Sequence, residues 1–123
     1  ANRSVDKARA LAMDFTSFGK IEVVAYNQIE RGGYHLIINA TAAGLSNQIP
    51  PVSAAVLDKA GVCYDMMYNL KAPTAFVEWS TAHGVKRSHD GLGMLVEQAA
   101  EAFRLWRGVR PATRLLSSSL RSI

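Results

Sequence analysis

Apolar positions along the chain switch between helical spacing and short unbroken runs, and the switches mark out the elements. Val5, Ala8, Leu11, Ala12 and Phe15 recur at helical spacing behind Ser4, a favoured N-cap residue, until Phe18-Gly19 ends the pattern. Residues 21–24 are a short apolar run that predicts a strand, and residues 28–33 predict a turn. Residues 34–38 predict a buried strand ending at Asn39-Ala40-Thr41, followed by a loop with Gly44 and Pro50-Pro51. Residues 52–59 predict a short helix punctuated by Gly61, and residues 62–66 a second buried strand. Residues 74–83 predict a helix with Phe76, Val77 and Trp79 for packing, stopped at Gly84, then a short strand over 85–88. Asp90 opens the longest helix, which ends near Arg107-Gly108 and carries a stripe of Leu92, Leu95, Val96, Ala99, Phe103 and Trp106. Pro111 is suited to open a last short helix, and Ser117-Ser118-Ser119 reads as a frayed end.

Strands thus alternate with helices, and the strands are continuous apolar runs, as expected when both faces of a sheet are covered. The pattern predicts an α/β fold with a Rossmann-like, doubly wound parallel sheet. A chain of 123 residues suits one domain, residues 1–123, whose C-terminal helices occupy 90–121.

Composition narrows the function classes. The net charge of +4 is scattered, without a basic run, aromatic interleaving or zinc-finger spacing, so no nucleic-acid partner is expected. No apolar run is long enough to span a bilayer, and the polar start does not read as a signal peptide. Cys63 is the only cysteine, so no intrachain disulfide can form, which fits a reducing, cytoplasmic setting. His35, His83 and His89 lack metal-ligand spacing, and no Ser-His-Asp or Cys-His arrangement is recognisable. Neither a metal nor a catalytic residue is therefore expected within these residues.

In an open parallel sheet, ligands bind outside the carboxyl ends of the strands. Four groups should lie there: Asn2-Arg3-Ser4, Asn39-Ala40-Thr41, Asp65-Met66-Met67-Tyr68 and Asp90-Gly91-Leu92-Gly93. With Ser4 as cap, Lys7 takes the third helical position, where a capping box would place Glu or Gln. A cation there opposes the helix dipole at a cost of about 0.3–1 kcal/mol, and Arg3 adds a second positive charge. A bound phosphate would reverse the sign of that cost. Asp6 offsets part of the charge, so an exposed basic helix start and a phosphate site both stay open. Gly91 and Gly93 allow close approach at the mouth of the long helix, and Gln98 projects from nearly the same side as Gly91. Gln98 is then a polar residue near the ligand edge or an ordinary half-exposed glutamine. Tyr68 either donates into the cleft or packs with a wet hydroxyl.

Taken together and in order, Asn2-Arg3-Ser4-Val5-Asp6-Lys7, Ile38-Asn39-Ala40-Thr41, Cys63-Tyr64-Asp65-Met66-Met67-Tyr68 and the run from Asp90-Gly91-Leu92-Gly93 to Gln98-Ala99-Ala100 resemble the shikimate dehydrogenase family, in its C-terminal NADP-binding part. The resemblance runs from Ala1 to about Pro111. It implies reversible, NADP-dependent reduction of 3-dehydroshikimate to shikimate, on the route to chorismate and the aromatic amino acids. A quinate-preferring paralogue and a non-catalytic dinucleotide-binding module are the alternatives. The resemblance implies that Asn2, Arg3, Ser4 and Lys7 hold the adenosine 2′-phosphate and that Thr41 lines the cofactor cleft. It places Met66 and Gly91 beside the nicotinamide, and Tyr68 and Gln98 at the bound shikimate. Ser4 stands where many members have Thr, and Lys7 where some have Arg, which exchanges a fork for a point charge.

The departures are large. The family's substrate domain, with its catalytic Lys–Asp pair, has no counterpart here, and no G-x-G-x-x-G pyrophosphate loop occurs in the chain. The expectation is a truncated Rossmann sheet lacking its first strand, most of its second and the Gly-rich loop. These residues alone should bind NADP weakly and catalyse nothing. Strand 34–38 should then present an unpaired apolar edge, with residues 1–33 displaced or paired non-natively and the fragment forming a homo-oligomer.

Overall fold

The computed structural model describes residues 1–29 and 31–122. Glu30, inside the turn predicted over 28–33, lies outside the described residues. The order is α1 (Val5–Asp14), β1 (Leu36–Asn39), β2 (Val62–Asp65), α2 (Ala75–Ala82), β3 (Ser88–His89), α3 (Leu92–Arg107) and α4 (Leu116–Leu120). Short 3₁₀ turns at Thr16–Phe18, Tyr26–Gln28, Ala42–Ser46 and Ala54–Leu57 fill the connections. No helix among the described residues is long and apolar enough to cross a membrane.

The three strands form one parallel sheet in the order β1-β2-β3. Register pairs Leu36 with Val62 and Asn39 with Asp65, and on the other side Cys63 with Ser88. The α/β class and the parallel sheet are as expected. The core gathers Val56, Leu57, Cys63, Phe76 and Val85, flanked by Ile37 and Trp79. Thr74 caps α2 by accepting from the Val77 amide, and Gly84 leaves the helix at φ 87°, a left-handed turn that favours glycine. Gly108 ends α3 the same way at φ 72°.

Several boundaries depart from expectation. Residues 21–24 form no strand, because a strand needs a ladder partner and none lies beside them among the described residues. The predicted helix 52–59 is only the turn Ala54–Leu57, hemmed in by Pro50-Pro51 and by Lys59 at φ 54°. The strand predicted over 85–88 begins at Ser88, since Val85 is drawn into the core and its amide bonds back to the Ser80 carbonyl. Pro111 opens no helix. Arg110 and Thr113 are held by Glu97 and Glu101 on α3, so the chain runs back along α3 and turns helical only at Leu116.

Burial is uneven. On β2, Cys63 and Asp65 are buried, but on β1 Leu36 and Ile38 are 52% and 54% exposed. The strand expected to be buried is thus half-exposed, and it stands at the edge of the sheet, as also expected. On α1, Val5, Ala8 and Ala12 are half-buried while Leu11 and Phe15 are exposed. Only Leu92, Val96 and Ala100 of α3 are buried, and Phe103 and Trp106 of the expected stripe face outward.

Candidate functional site

The carboxyl ends of β1 and β2 finish on polar residues that face each other in register, Asn39 and Asp65. Both are buried. The Asn39 amide donates to Asp65 Oδ1 at 3.0 Å, the Thr74 hydroxyl donates to Asp65 Oδ2 at 2.6 Å, and the Met67 amide donates to Oδ1 at 3.1 Å. Asn39 Oδ1 in turn accepts from the backbone and hydroxyl of Thr41 at 3.2 and 2.8 Å. The Thr41 hydroxyl then caps the following turn at the Ala43 amide. No buried side-chain polar atom among the described residues lacks a partner. Burial of polar groups at low cost requires this kind of closure.

This network shapes two lips of a cleft. One is the loop from Thr41 to Ser46; the other is the turn Met66-Met67-Tyr68. They touch where Gly44 lies against Met67: a Cβ at Gly44 would come within 2.7 Å of Met67 Cγ. Gly91, at the start of α3, closes the far side. Its amide donates to the Met67 carbonyl at 2.8 Å, and a Cβ there would collide with the Met66 carbonyl. Gly91 is therefore required by close backbone approach. Met66 and Gly91, expected at one place, are brought together. Thr41 is tied to them through Asn39 and Asp65.

Tyr68 is on the same rim, 41% exposed. Gln98 is exposed on α3, about two turns beyond Gly91, with no side-chain hydrogen bond among the described residues. At the other end, Asn2 Oδ1 accepts from the Ser4 amide at 2.9 Å, and Ser4 starts α1 without a side-chain cap bond. Arg3 and Lys7 are exposed and form no ion pair among the described residues, whereas Asp6 pairs with Arg9. The acidic neighbour expected to offset them is thus engaged elsewhere. An open cavity of about 700 Å³ is lined by Ala1, Val24, Leu36, Ile38, Asn39 and Thr41 among others, while Arg3, Lys7, Met66 and Gly91 do not line it.

Two further features were not visible beforehand. Arg121 reaches back to Asp90 with two 2.7 Å bonds and to the Asn69 carbonyl at 3.0 Å, pinning α4 beside the Tyr68 rim. Thirty-one residues separate Arg121 from Asp90, so no local pattern announces it. The Asp65–Thr74 bond was equally hidden, although a polar residue closing an apolar strand run was a usable signal. Titration is perturbed away from the cleft. The Thr113 hydroxyl and Arg110 hold the Glu97 carboxyl below its usual range, Arg104 does the same for Glu101, and burial pushes the Cys63 thiol up. No cluster of metal-ligating side chains occurs among the described residues.

Residues 91–115 match the family described as the shikimate 5'-dehydrogenase C-terminal domain. The shikimate dehydrogenase (NADP(+)) of Nitrosococcus oceani is 49% identical over 120 residues, covering 98% of this chain and 42% of the relative. Among solved structures, an Ael1 enzyme from Pseudomonas putida superposes with a TM-score of 0.85 at 39% identity, over 97% of this chain and 43% of that one. A shikimate dehydrogenase in complex with NADP+ superposes with a TM-score of 0.77 at 31% identity, over 99% of this chain and 45% of that one. The superpositions cover nearly all of this chain. The chain spans less than half the length of the curated relatives it matches.

Proposed function

We propose, from the premise that the chain matches the C-terminal part of the shikimate dehydrogenase family, that the protein carrying it reduces 3-dehydroshikimate reversibly to shikimate with NADPH. The observation that supports this most is the near-complete match to relatives named for that activity, together with the packing of Met66 against Gly91 at the carboxyl edge. The residues present fit two parts of NADP. Exposed Arg3 and Lys7, with no ion pair among the described residues at the start of a ten-residue helix, suit the 2′-phosphate, with Asn2 and Ser4 beside them. Gly91 packs directly against the Met66 backbone, which fixes the turn beside which the nicotinamide would lie. Thr41 lines the cleft between, and Tyr68 and Gln98 contact the shikimate hydroxyls. The bound cofactor supplies the hydride; these side chains hold and orient its ends.

The proton-transferring pair that the family resemblance implies is not among these residues, so the 123 residues by themselves do not turn over. In isolation they associate through the open β1 edge. The setting is the cytoplasm.

Steady-state kinetics of the protein containing this chain, with NADPH and with NADH, test the reading. NADPH should be strongly preferred, and Arg3→Ala should raise the KM for NADPH roughly tenfold, the value of one charge-assisted phosphate contact, while sparing NADH. Equal losses with both cofactors would remove Arg3 from the 2′-phosphate. No NADP-dependent oxidation of shikimate would remove the activity.

A further inference from the structure

Among the described residues, three of the four buried polar side chains, Asn39, Asp65 and Thr74, belong to one cluster, and that cluster sits at the carboxyl edge of the sheet. Asp65 is its centre and is fully buried. It has no cationic partner among the described residues. A buried carboxylate held only by neutral donors is a poor way to gain stability, because apolar side chains of similar volume would bury without desolvating a charge. What the cluster provides is direction. One oxygen, Oδ1, is shared between the Asn39 amide and the Met67 backbone amide. The first bond leads through Asn39 Oδ1 to Thr41 and the loop lip; the second holds the turn that carries Met66 and Tyr68. The Met67 carbonyl then receives the Gly91 amide, so α3 is registered to the same oxygen. The other oxygen, Oδ2, takes only the hydroxyl of Thr74, the N-cap of α2.

We propose that Asp65 is a positioning residue for the dinucleotide. Its Oδ1 fixes the spacing between the Thr41 loop and the Met66–Tyr68 turn, and its Oδ2 contributes only to folding. The inference rests on the NADP reading above.

The division between the two oxygens can be separated by mutation. In the double variant N39D/D65N the partners exchange chemistry. The carboxylate now at position 39 still accepts from Thr41, and it also accepts from the side-chain amide now at position 65. The oxygen of that amide still accepts from Thr74. The Met67 amide alone loses its acceptor, since an NH₂ group now faces it. Thr74→Val does the opposite, removing the Oδ2 bond and leaving the lips tied. In the protein carrying this chain, the exchange should lower Tm, as the loss of one hydrogen bond does, and should also raise the KM and Kd for NADP+ roughly tenfold, because a sub-ångström shift of a positioning contact is felt strongly. Thr74→Val should lower Tm and leave both constants unchanged. With ¹³C-methyl methionine labelling, the exchange should move the Met66 and Met67 resonances and spare Met13, whether or not the protein is active. Unchanged NADP+ constants in the exchange variant, or a rise in Thr74→Val, would overturn the proposal. An unaltered protein without NADP-dependent shikimate oxidation would instead overturn the functional reading, while the methyl spectra would still report on the lips.

Discussion

The start of α1 and the carboxyl edge of the sheet, the two ends of the proposed cofactor site, differ in almost every physical respect. At residues 2–7, Asn2, Arg3, Asp6 and Lys7 are exposed, and Arg3 and Lys7 carry charges unpaired among the described residues. At the carboxyl edge, Asn39 and Asp65 are buried, every bond is closed, and Gly91 has no room for a methyl group. The first end attracts by charge and tolerates motion, because an exposed ion pair keeps most of its water and falls off with salt. The second end acts by shape, is insensitive to salt, and tolerates almost no displacement. A cofactor bound across both would be captured at one end and aligned at the other.

The largest effect should come from crowding the aligned end. Gly91→Ala places a Cβ against the Met66 carbonyl, so the turn or the start of α3 must shift. Overpacking of this kind costs about 1–3 kcal/mol of stability, and the misplaced rim should lower kcat/KM for shikimate on the order of a hundredfold. A Gly91→Ala protein with normal kinetics would show that the aligned end is softer than its packing implies. An intermediate effect should appear on raising ionic strength. Affinity for NADP+ should fall steadily from low salt to about 0.5 M, and the slope should flatten in Arg3→Ala, while affinity for shikimate holds nearly constant. Parallel salt dependence for both ligands would erase the contrast between the ends.

How much of this was legible in the sequence follows the range of the interactions. β2, α2 and α3 were readable because their periodicity and their stops at Gly84 and Gly108 are local. Residues 21–24 have the composition of a strand and still form none, because pairing is decided by a neighbour and not by composition. Leu36 and Ile38 read as core for the same reason. At the site, the charges of Arg3 and Lys7 stood out as a local anomaly, and Gly91 was marked by its place at a helix mouth. The Asp65 cluster was not, since Asn39, Asp65 and Thr74 meet only once the parallel register is set.

The smallest effect tests an exposed network along α3. Glu97 and Glu101 are held below the usual carboxylate range by Thr113, Arg110 and Arg104. A lowered folded-state value means their contribution is present above the ordinary carboxylate range and is lost as pH falls through the lowered one. Amide exchange at Arg110 and Thr113, corrected for its intrinsic pH dependence, should therefore quicken as pH falls through the lowered range while that of β2 stays slow. If both regions loosened together, the clasp onto α3 would be part of the cooperative core.

Cys63 turns the middle of the sheet into a clock. It is 1% exposed, and burial keeps its sulfur in the thiol form, which is the unreactive one. A reagent that consumes thiolate can reach it only in molecules whose central strand has momentarily come away from Ser88 and Phe76. The rate of modification at neutral pH therefore counts openings of β2 one molecule at a time. Any ligand that grips the carboxyl edge should slow the count in proportion to its occupancy.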